Sequence, residues 1–250
     1  MADEAPPQKR QKTGGAADAA ADSGGGGTVL LYSYWRSSCS WRVRIALALK
    51  DITYEYKAVH LVKDGGQQLH DGYAAINPMK EVPTLLIDGV TLKQSVPIIE
   101  YLDETRPGSG PALVPRGADA EAAAKRQKVR QLAELVSSGI QSVQNLRVLK
   151  YVMSMFDDAA TKQEKKMTWG RHWIAKGFEA LERELAECSG TYCVGDAVTL
   201  ADICLVPQVY NANRFKVDMS RFPNIVRINA ALEQLAAFKA AAPDQMPDAQ

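Results

Sequence analysis

The strand patterns of this 250-residue chain are confined to its first half. Short apolar runs that are typical of strands lie at residues 29–34, 54–59, 82–87 and 90–92. After residue 117 the apolar residues recur with helical spacing, and no run of comparable strand character follows. The chain is therefore predicted to contain an α/β domain followed by an all-α domain.

The order of elements in the first part predicts the topology of its sheet. Helical patterns at 41–50, 67–76 and 95–105 alternate with the strand runs, which gives the order β-α-β-α-β-β-α. Two strands joined through a helix are expected to be parallel, with a right-handed crossover. Asp88-Gly89 between two apolar runs predicts a tight hairpin. The prediction is a thioredoxin-like domain with a mixed four-stranded sheet, followed by a helical bundle.

Composition marks the domain boundaries. Residues 1–27 are rich in Ala, Gly and Asp, and their lack of bulky apolar side chains predicts a disordered tail. Residues 28–106 form the predicted α/β domain, 107–117 a linker rich in Pro and Gly, and 118–250 the all-helical domain. Helices in the second domain are expected at 118–155, 162–187, 200–215 and 223–241.

Charge, cysteine content and hydropathy argue against a nucleic-acid-binding protein, a metal-binding protein and a membrane protein. The formal net charge of +1 does not favour a nucleic-acid binder. The four cysteines show no Cys-x-x-Cys pair and the three histidines are scattered, so no metal site is predicted. No apolar run reaches the roughly 20 residues of a membrane span. We expect a reduced, cytoplasmic protein without membrane or nucleic-acid partners.

The segment Ser37-Ser38-Cys39 lies where the first strand ends and the first helix begins. Unpaired backbone N–H groups at a helix N-terminus stabilise an anion such as a thiolate, and a neighbouring hydroxyl donor would stabilise it further. Taken alone, serines in this position are typical of a helix cap. Position 42 holds arginine, so a thioredoxin-type dithiol is excluded, whereas a monothiol role for Cys39 stays open.

Two further turns carry ligand-binding patterns. Val82-Pro83 begins a strand, and a cis bond there would leave the Val82 N–H and C=O free to pair with an extended peptide. Taken alone, the proline is equally consistent with an ordinary residue that starts a strand. Gln94-Ser95 opens the next helix, where Ser95 could act as the cap and exposed N–H groups would suit a carboxylate.

The helical half contributes three weaker patterns. Gln141 and Asn145 are four residues apart, which predicts that they share one helix face. Taken alone, the pair is more typical of an exposed polar face than of a ligand site. Thr199 and Asp202 have the spacing of a capping box, and we interpret them as structural. Arg214, near the end of a helical pattern, is typical of a solvated cation when taken alone.

Together these motifs resemble the zeta class of glutathione transferases, the maleylacetoacetate isomerases. The resemblance covers roughly residues 28–245. It is carried by Ser37-Ser38-Cys39-Ser40-Trp41-Arg42-Val43-Arg44-Ile45-Ala46-Leu47, Asn77-Pro78-Met79-Lys80, Val82-Pro83-Thr84, Gln94-Ser95, Gly139-Ile140-Gln141, Gln144-Asn145-Leu146, Tyr192-Cys193-Val194-Gly195-Asp196, Leu205-Val206-Pro207-Gln208 and Arg214-Phe215. The tail and the stretch 154–164 depart from the family pattern.

The resemblance implies a homodimeric enzyme with bound glutathione. The implied catalytic residues at the sulfur are Ser37, Ser38 and Cys39, with Ser37 preferred over Ser38 for activating the thiol, although the sequence does not separate the two. Further glutathione contacts are implied at Gln68, Val82, Pro83, Gln94, Ser95, Gln141 and Asn145. The candidates for binding a substrate carboxylate are Arg214, Arg36 and Arg42, in that order.

The implied reaction is the cis-to-trans isomerisation of maleylacetoacetate, a small dicarboxylate, to fumarylacetoacetate in tyrosine and phenylalanine breakdown. A thiolate would add to the cis double bond, the resulting single bond would rotate, and elimination would return the thiol. The resemblance also implies transferase activity and dehalogenation of α-halo acids such as dichloroacetate. The alternatives are a monothiol redox enzyme that uses Cys39 and a non-catalytic interaction module with the same fold.

Overall fold

Four short strands form one mixed sheet in the first half of the protein. In a computed structural model, which describes residues 28–250, the sheet has the order β2-β1-β3-β4. The strands are β1 (Leu30–Ser33), β2 (Glu55–Ala58), β3 (Thr84–Ile87) and β4 (Val90–Lys93). β1 pairs in parallel with β2 and antiparallel with β3, and β3 pairs antiparallel with β4. The predicted thioredoxin-like sheet is confirmed, whereas the predicted tail lies outside the described residues.

The hairpin between β3 and β4 has the turn that the sequence predicts. Asp88 and Gly89 have φ values of 53° and 74°, and Ile87 pairs with Val90 on either side of them. Positive φ at both central residues is the geometry of a type I′ turn, which matches the twist of the flanking strands.

Three helices pack with this sheet: α1 (Ser38–Leu49), α2 (Asp71–Ile76) and α3 (Ser95–Thr105). α1 and α3 contact each other through apolar residues that are fully buried, among them Ile45 and Ile99. The bounds of α3 agree with the predicted helix at 95–105.

The second half of the described chain is helical throughout. Its helices are α4 (Ala120–Glu134), α5 (Leu146–Ser154), α6 (Ala159–Cys188), α7 (Leu200–Arg214), α8 (Pro223–Leu232) and α9 (Ala236–Ala240). A π-helical segment, Leu135–Gln141, continues α4. The predicted all-α architecture is confirmed.

The prediction of one helix over 118–155 is wrong. The helix widens into the π-helical segment and ends after Gln141, and a new helix begins at Leu146. Asn145 caps the new helix, because its Oδ1 accepts the N–H of Arg147 at 3.1 Å. The predicted helix at 223–241 is likewise divided into α8 and α9.

α7 is the central helix of the second domain, where 12 of its 15 residues are buried. It contacts α1, α4 and α8. The predicted capping box at its start is confirmed, and the carboxylate of Asp202 also accepts the N–H of Cys193 at 2.8 Å. This single carboxylate therefore joins the start of α7 to the preceding loop.

The two domains meet along α1. Trp41 packs edge-on against Tyr210 of α7, with ring centroids 5.5 Å apart. The buried Arg44 donates from Nε to the carbonyl of Ala241 at 3.0 Å. These contacts hold the N-terminus of α1 against the helical domain, and the cleft described below opens beside it.

None of the helices within residues 28–250 combines the length and the hydropathy that a membrane span requires. The same part of the chain holds no group of three or more His, Cys, Asp or Glu side chains placed to bind a metal ion.

Candidate active site

A cleft of about 490 Å³ lies between the loops of the first domain and the helices of the second. Its first wall includes the start of α1 and the loops before α2 and β3, and its second wall comes from α5, α6, α7 and the turn before α5. A cleft of this size between two domains is a typical small-molecule site.

The N-terminus of α1 faces this cleft. Ser37 is the N-cap: its Oγ accepts the N–H of Ser40 at 3.2 Å, and its carbonyl accepts the N–H of Trp41 at 2.9 Å. The N–H groups of Ser38 and Cys39 have no acceptor within residues 28–250. Ser37, Ser38 and Cys39 all line the cleft, so the positive end of α1 is directed into it.

As the N-cap, the Ser37 side chain accepts a hydrogen bond and does not donate one, so its hydroxyl proton is free. A hydroxyl has one donor and two acceptor lone pairs, and the cap uses only an acceptor. The Oγ position is fixed by the Ser40 N–H while the O–H stays available to a group in the cleft. The hydroxyl of Ser38 also makes no hydrogen bond with the described residues, so the hydrogen bonds do not separate the two serines.

The Cys39 thiol is poorly suited to act as a nucleophile. Burial raises the pKa of Cys39 and the charge of Glu81 adds to the rise, whereas the charge of Arg42 and the neighbouring Ser38 and Ser95 hydroxyls lower it by less. The thiolate is the reactive form of cysteine, so a raised pKa makes the side chain less reactive.

Val82 presents an unpaired peptide group. Its N–H and C=O form no hydrogen bond with any described residue, and Val82 lines the cleft. The Val82–Pro83 bond is cis, which is one of the two alternatives that the sequence left open, and Pro83 is buried and lies off the cleft wall. An extended ligand could pair with the free N–H and C=O of Val82 as a strand pairs with a sheet edge.

Gln68 lies on the same wall and has an unused acceptor. The side chain is buried, and its Oε1 has no hydrogen-bond partner in the described part of the chain. Gly66 leaves room for the amide, because a Cβ at that position would lie 2.8 Å from Gln68 Nε2. A buried amide oxygen without a partner at a cleft is suited to accept a donor from a ligand.

Gln94 and Ser95 lie off the wall of the cleft. Gln94 is exposed with a φ of 68° at the N-cap position of α3, so the expectation that Ser95 caps this helix is wrong. Ser95 is buried inside the first turn, where its Oγ accepts from Arg42 at 3.3 Å. The register of β3 and β4 pairs Thr84 with Lys93, which places Gln94 beside Pro83 on the same edge as Val82.

Arg42 is not a wall residue. It is fully buried and donates to Ser95 Oγ at 3.3 Å and Ser137 Oγ at 3.2 Å, which joins α1 to α3 and the π-helical segment. The expectation that Arg42 binds a substrate carboxylate is therefore corrected: its guanidinium lies behind the site as a structural link.

Gln141 and Asn145 both line the cleft, but they do not share a helix face as predicted. Gln141 ends the π-helical segment and Asn145 caps α5, because the chain turns between them. Their spacing of four residues is the same as one helical turn, which is why the sequence pattern misleads here.

Six cations line the cleft, and three of them lie close enough for their charges to act on one another: Arg36 from the loop before α1, Lys166 from α6 and Arg214 from α7. The other three are Lys80, Arg147 and Lys150. Burial and the positive charge of Arg36 lower the pKa of Arg214, and burial, Arg214 and Arg36 lower the pKa of Lys166. Within residues 28–250 none of Arg36, Lys166 and Arg214 forms a salt bridge. The arrangement favours a ligand that carries carboxylates.

Lys166 is not among the residues that the sequence predicts at the site. It stands in the charged run Gln163-Glu164-Lys165-Lys166, which is typical of a solvated helix face. Its neighbour Lys165 behaves in that way, with Nζ 3.3 Å from Glu164. The one available signal is Gly170, one turn later, because glycine within a helix often marks a close approach of another element.

Family comparisons cover both domains. Residues 36–105 match the model of the glutathione S-transferase N-terminal domain, and residues 145–243 match that of the glutathione S-transferase C-terminal domain.

Individual proteins are similar over most of the chain. The maleylacetoacetate isomerase of Rattus norvegicus is 52% identical over 219 residues, which is 88% of this chain and 94% of the relative. A bacterial maleylpyruvate isomerase, a zeta-class glutathione S-transferase, is 44% identical with a TM-score of 0.79, over 88% of this chain and all of that one. A maleylacetoacetate isomerase from Methylobacterium extorquens AM1, solved with malonate and glutathione bound, is 33% identical with a TM-score of 0.80, over 88% of this chain and 99% of that one.

Proposed function

Because the chain belongs to the zeta class of the glutathione S-transferase family, we propose that it is a glutathione-dependent isomerase that converts maleylacetoacetate to fumarylacetoacetate. The observation that carries the proposal is the shared cleft, which is lined both by the N-terminus of α1 and by the group of three cations Arg36, Lys166 and Arg214. The first feature suits a thiolate and the second a substrate with two carboxylates.

The first wall fits glutathione. The free N–H and C=O of Val82 can pair with the cysteinyl backbone of the tripeptide, and Gln68 Oε1 can accept one of its donors. Gln94 and Ser95 lie off the cleft wall, directly after β4, and on the strength of the family relationship they would hold the γ-glutamyl end where it extends beyond the cleft. Gln141 and Asn145 would contact the ligand from the helical wall.

When bound, glutathione supplies a thiolate nucleophile that turns a cis double bond into a trans one by reversible addition, and it is not consumed. The chain's own part begins with Ser37, whose cap bond fixes the oxygen and leaves the O–H to donate to the sulfur. The unpaired N–H groups of Ser38 and Cys39 add the positive field of the helix terminus. Both effects favour the thiolate over the thiol.

The three cations Arg36, Lys166 and Arg214 would orient the substrate. Arg214 stands at the C-terminal end of α7, where Nη1 donates to Asn211 Oδ1 at 3.3 Å. Arg36 lies one residue before Ser37, so a carboxylate held by Arg36 would lie near the start of α1. Positioning a substrate carboxylate next to an activated nucleophile lowers the entropic part of the barrier.

The same constellation supports glutathione transferase activity and the dehalogenation of small α-halo acids such as dichloroacetate, whose carboxylate would meet the same cations. We further propose a homodimer that acts in the cytoplasm in tyrosine and phenylalanine catabolism, on the strength of the family relationship. The monothiol alternative has less support, because the pKa of Cys39 is raised.

The decisive experiment is to measure the isomerisation of maleylacetoacetate with and without glutathione. A rate that depends on glutathione supports the proposal. Equal rates with and without glutathione, or no isomerisation at all, would contradict it. Loss of the glutathione-dependent rate in Cys39→Ala would instead favour the monothiol mechanism.

A further inference from the structure

Lys166 of α6 lies on the wall of the cleft, although the sequence around it is that of a solvated helix face. Its position depends on how closely α6 approaches the end of α7. A Cβ at Gly170 would lie 2.4 Å from Cδ1 of Phe215, so glycine lets the phenylalanine ring rest directly on α6. Arg171 Nε donates to the Phe215 carbonyl at 3.1 Å and holds the same contact from the side.

This contact brings Lys166 towards Arg214. Arg214 immediately precedes Phe215, and Lys166 lies one helical turn before Gly170 on the same face of α6. Both side chains line the cleft. Burial has the largest effect in lowering the pKa of Lys166, and the charges of Arg214 and Arg36 lower it further. This effect of the two arginines agrees with their position near Lys166.

Arg36, Lys166 and Arg214 therefore lie near one another in the cleft, and no carboxylate within residues 28–250 lies within salt-bridge distance of any of them. The acid on the cleft wall, Glu81, is engaged elsewhere, since its Oε1 lies 3.3 Å from Nε of Arg147. Like charges in a partly buried site repel one another, and a bound anion relieves that repulsion.

We propose that Lys166 is a specificity-determining residue, which together with Arg36 and Arg214 makes the cleft select electrophiles with two carboxylates over those with one. The inference rests on the proposed function and names its substrate class. Within this group of three cations a dianion can compensate two positive charges, whereas a monoanion compensates one. The ammonium on its flexible stem can follow the second carboxylate as a mobile point charge.

The test compares the binding of malonate, a dianion, with that of acetate, a monoanion, in the presence of glutathione by calorimetry. Lys166→Met is expected to weaken malonate binding about tenfold or more, as expected for the loss of a hydrogen bond to a charged group, and to weaken acetate binding less. Lys166→Arg should restore most of the preference for malonate, because it keeps the charge.

Lys165→Met is the matched control, because it removes the same charge from the adjacent position of α6 while Lys165 faces Glu164 and lies off the cleft wall. It should leave the ratio of the malonate and acetate dissociation constants unchanged. Equal weakening of both ligands in Lys166→Met, or the same change in Lys165→Met, would overturn the inference.

The two proposals can fail separately. If the wild type does not isomerise maleylacetoacetate and Lys166→Met still loses its preference for malonate, the reaction is wrong and the dicarboxylate site stands. If the wild type isomerises its substrate and Lys166→Met keeps its preference for malonate, the role of Lys166 alone is wrong.

Discussion

The carboxylate of Asp202 accepts hydrogen bonds from both the backbone N–H and the hydroxyl of Thr199, each at 2.8 Å. Both residues are buried at the start of α7, away from the cleft wall. The pair therefore stabilises the helix on which Arg214 stands, at the opposite end from that cation.

Thr199→Ala should destabilise the protein without reducing its intrinsic activity. The loss of a helix-capping side chain costs about 1 kcal/mol, and Thr199 makes no contact with the cleft. The free energy of unfolding in urea and the activity per folded molecule are the two measurements. A fully folded but inactive Thr199→Ala would show that the capping box has a direct role in the reaction.

Ser37→Ala should lower isomerase turnover by about 10² or more, as the removal of one preorganised donor can. The variant also loses the cap bond to Ser40, so its fraction folded must be measured beside its rate. Ser37→Thr retains a hydroxyl at the N-cap and should recover much of the rate. If Ser38→Ala is inactive and Ser37→Ala is close to the wild type, Ser38 is the activating residue.

Gly170→Ala should raise the KM for a dicarboxylate substrate. The new Cβ would lie 2.4 Å from the Phe215 ring, so the end of α7, with Arg214, must move. Overpacking of this kind costs about 1–3 kcal/mol of stability. Gly139→Ala is the matched control, since a Cβ there meets nothing within 4 Å. An unchanged KM in Gly170→Ala would show that the α6–α7 contact does not position the cations.

As the pH falls below about 6.5, protonation of His60 should lower the free energy of unfolding. Its buried ring accepts the N–H groups of Val62 at 3.2 Å and Lys63 at 2.9 Å through Nδ1, which requires that nitrogen to be unprotonated. Burial has the largest effect in lowering the pKa of His60, and the charge of Lys63 lowers it further. The charges of Asp248 and Asp64 raise it by less.

In the unfolded chain His60 has the ordinary histidine pKa of about 6.5, which is higher than its pKa in the folded protein. The stabilisation is therefore complete above that pH and is lost as the pH falls towards the folded pKa. Urea unfolding at pH 7.5 and 5.5 should show a larger drop for the wild type than for His60→Asn, whose amide does not titrate. Equal drops would exclude His60 as the source.

Much of the first domain could be predicted because its determinants are local. The Asp88-Gly89 turn follows from the two residues that tolerate positive φ, and the start of α1 follows from the cap at Ser37. The sheet order then depends on the rule that a strand–helix–strand unit pairs in parallel.

The second domain was predicted less accurately, since its breaks are tertiary. The widening of the helix at Leu135–Gln141 and the new start at Asn145 interrupt a pattern whose periodicity runs on through both. Periodicity reports which faces are apolar, and it does not report where the backbone changes its hydrogen-bonding partner.

The candidate site also has residues that the local sequence predicts and residues whose position depends on long-range packing. The sequence by itself determined the helix terminus at Ser37-Ser38-Cys39 and the Val82-Pro83 turn, because each is built from neighbouring residues. Only the tertiary structure placed Arg42 behind the wall and Lys166 on it, since both outcomes depend on which distant elements come together. A charged residue has the same local pattern whether it faces solvent, another helix or a cleft, and long-range packing decides among the three.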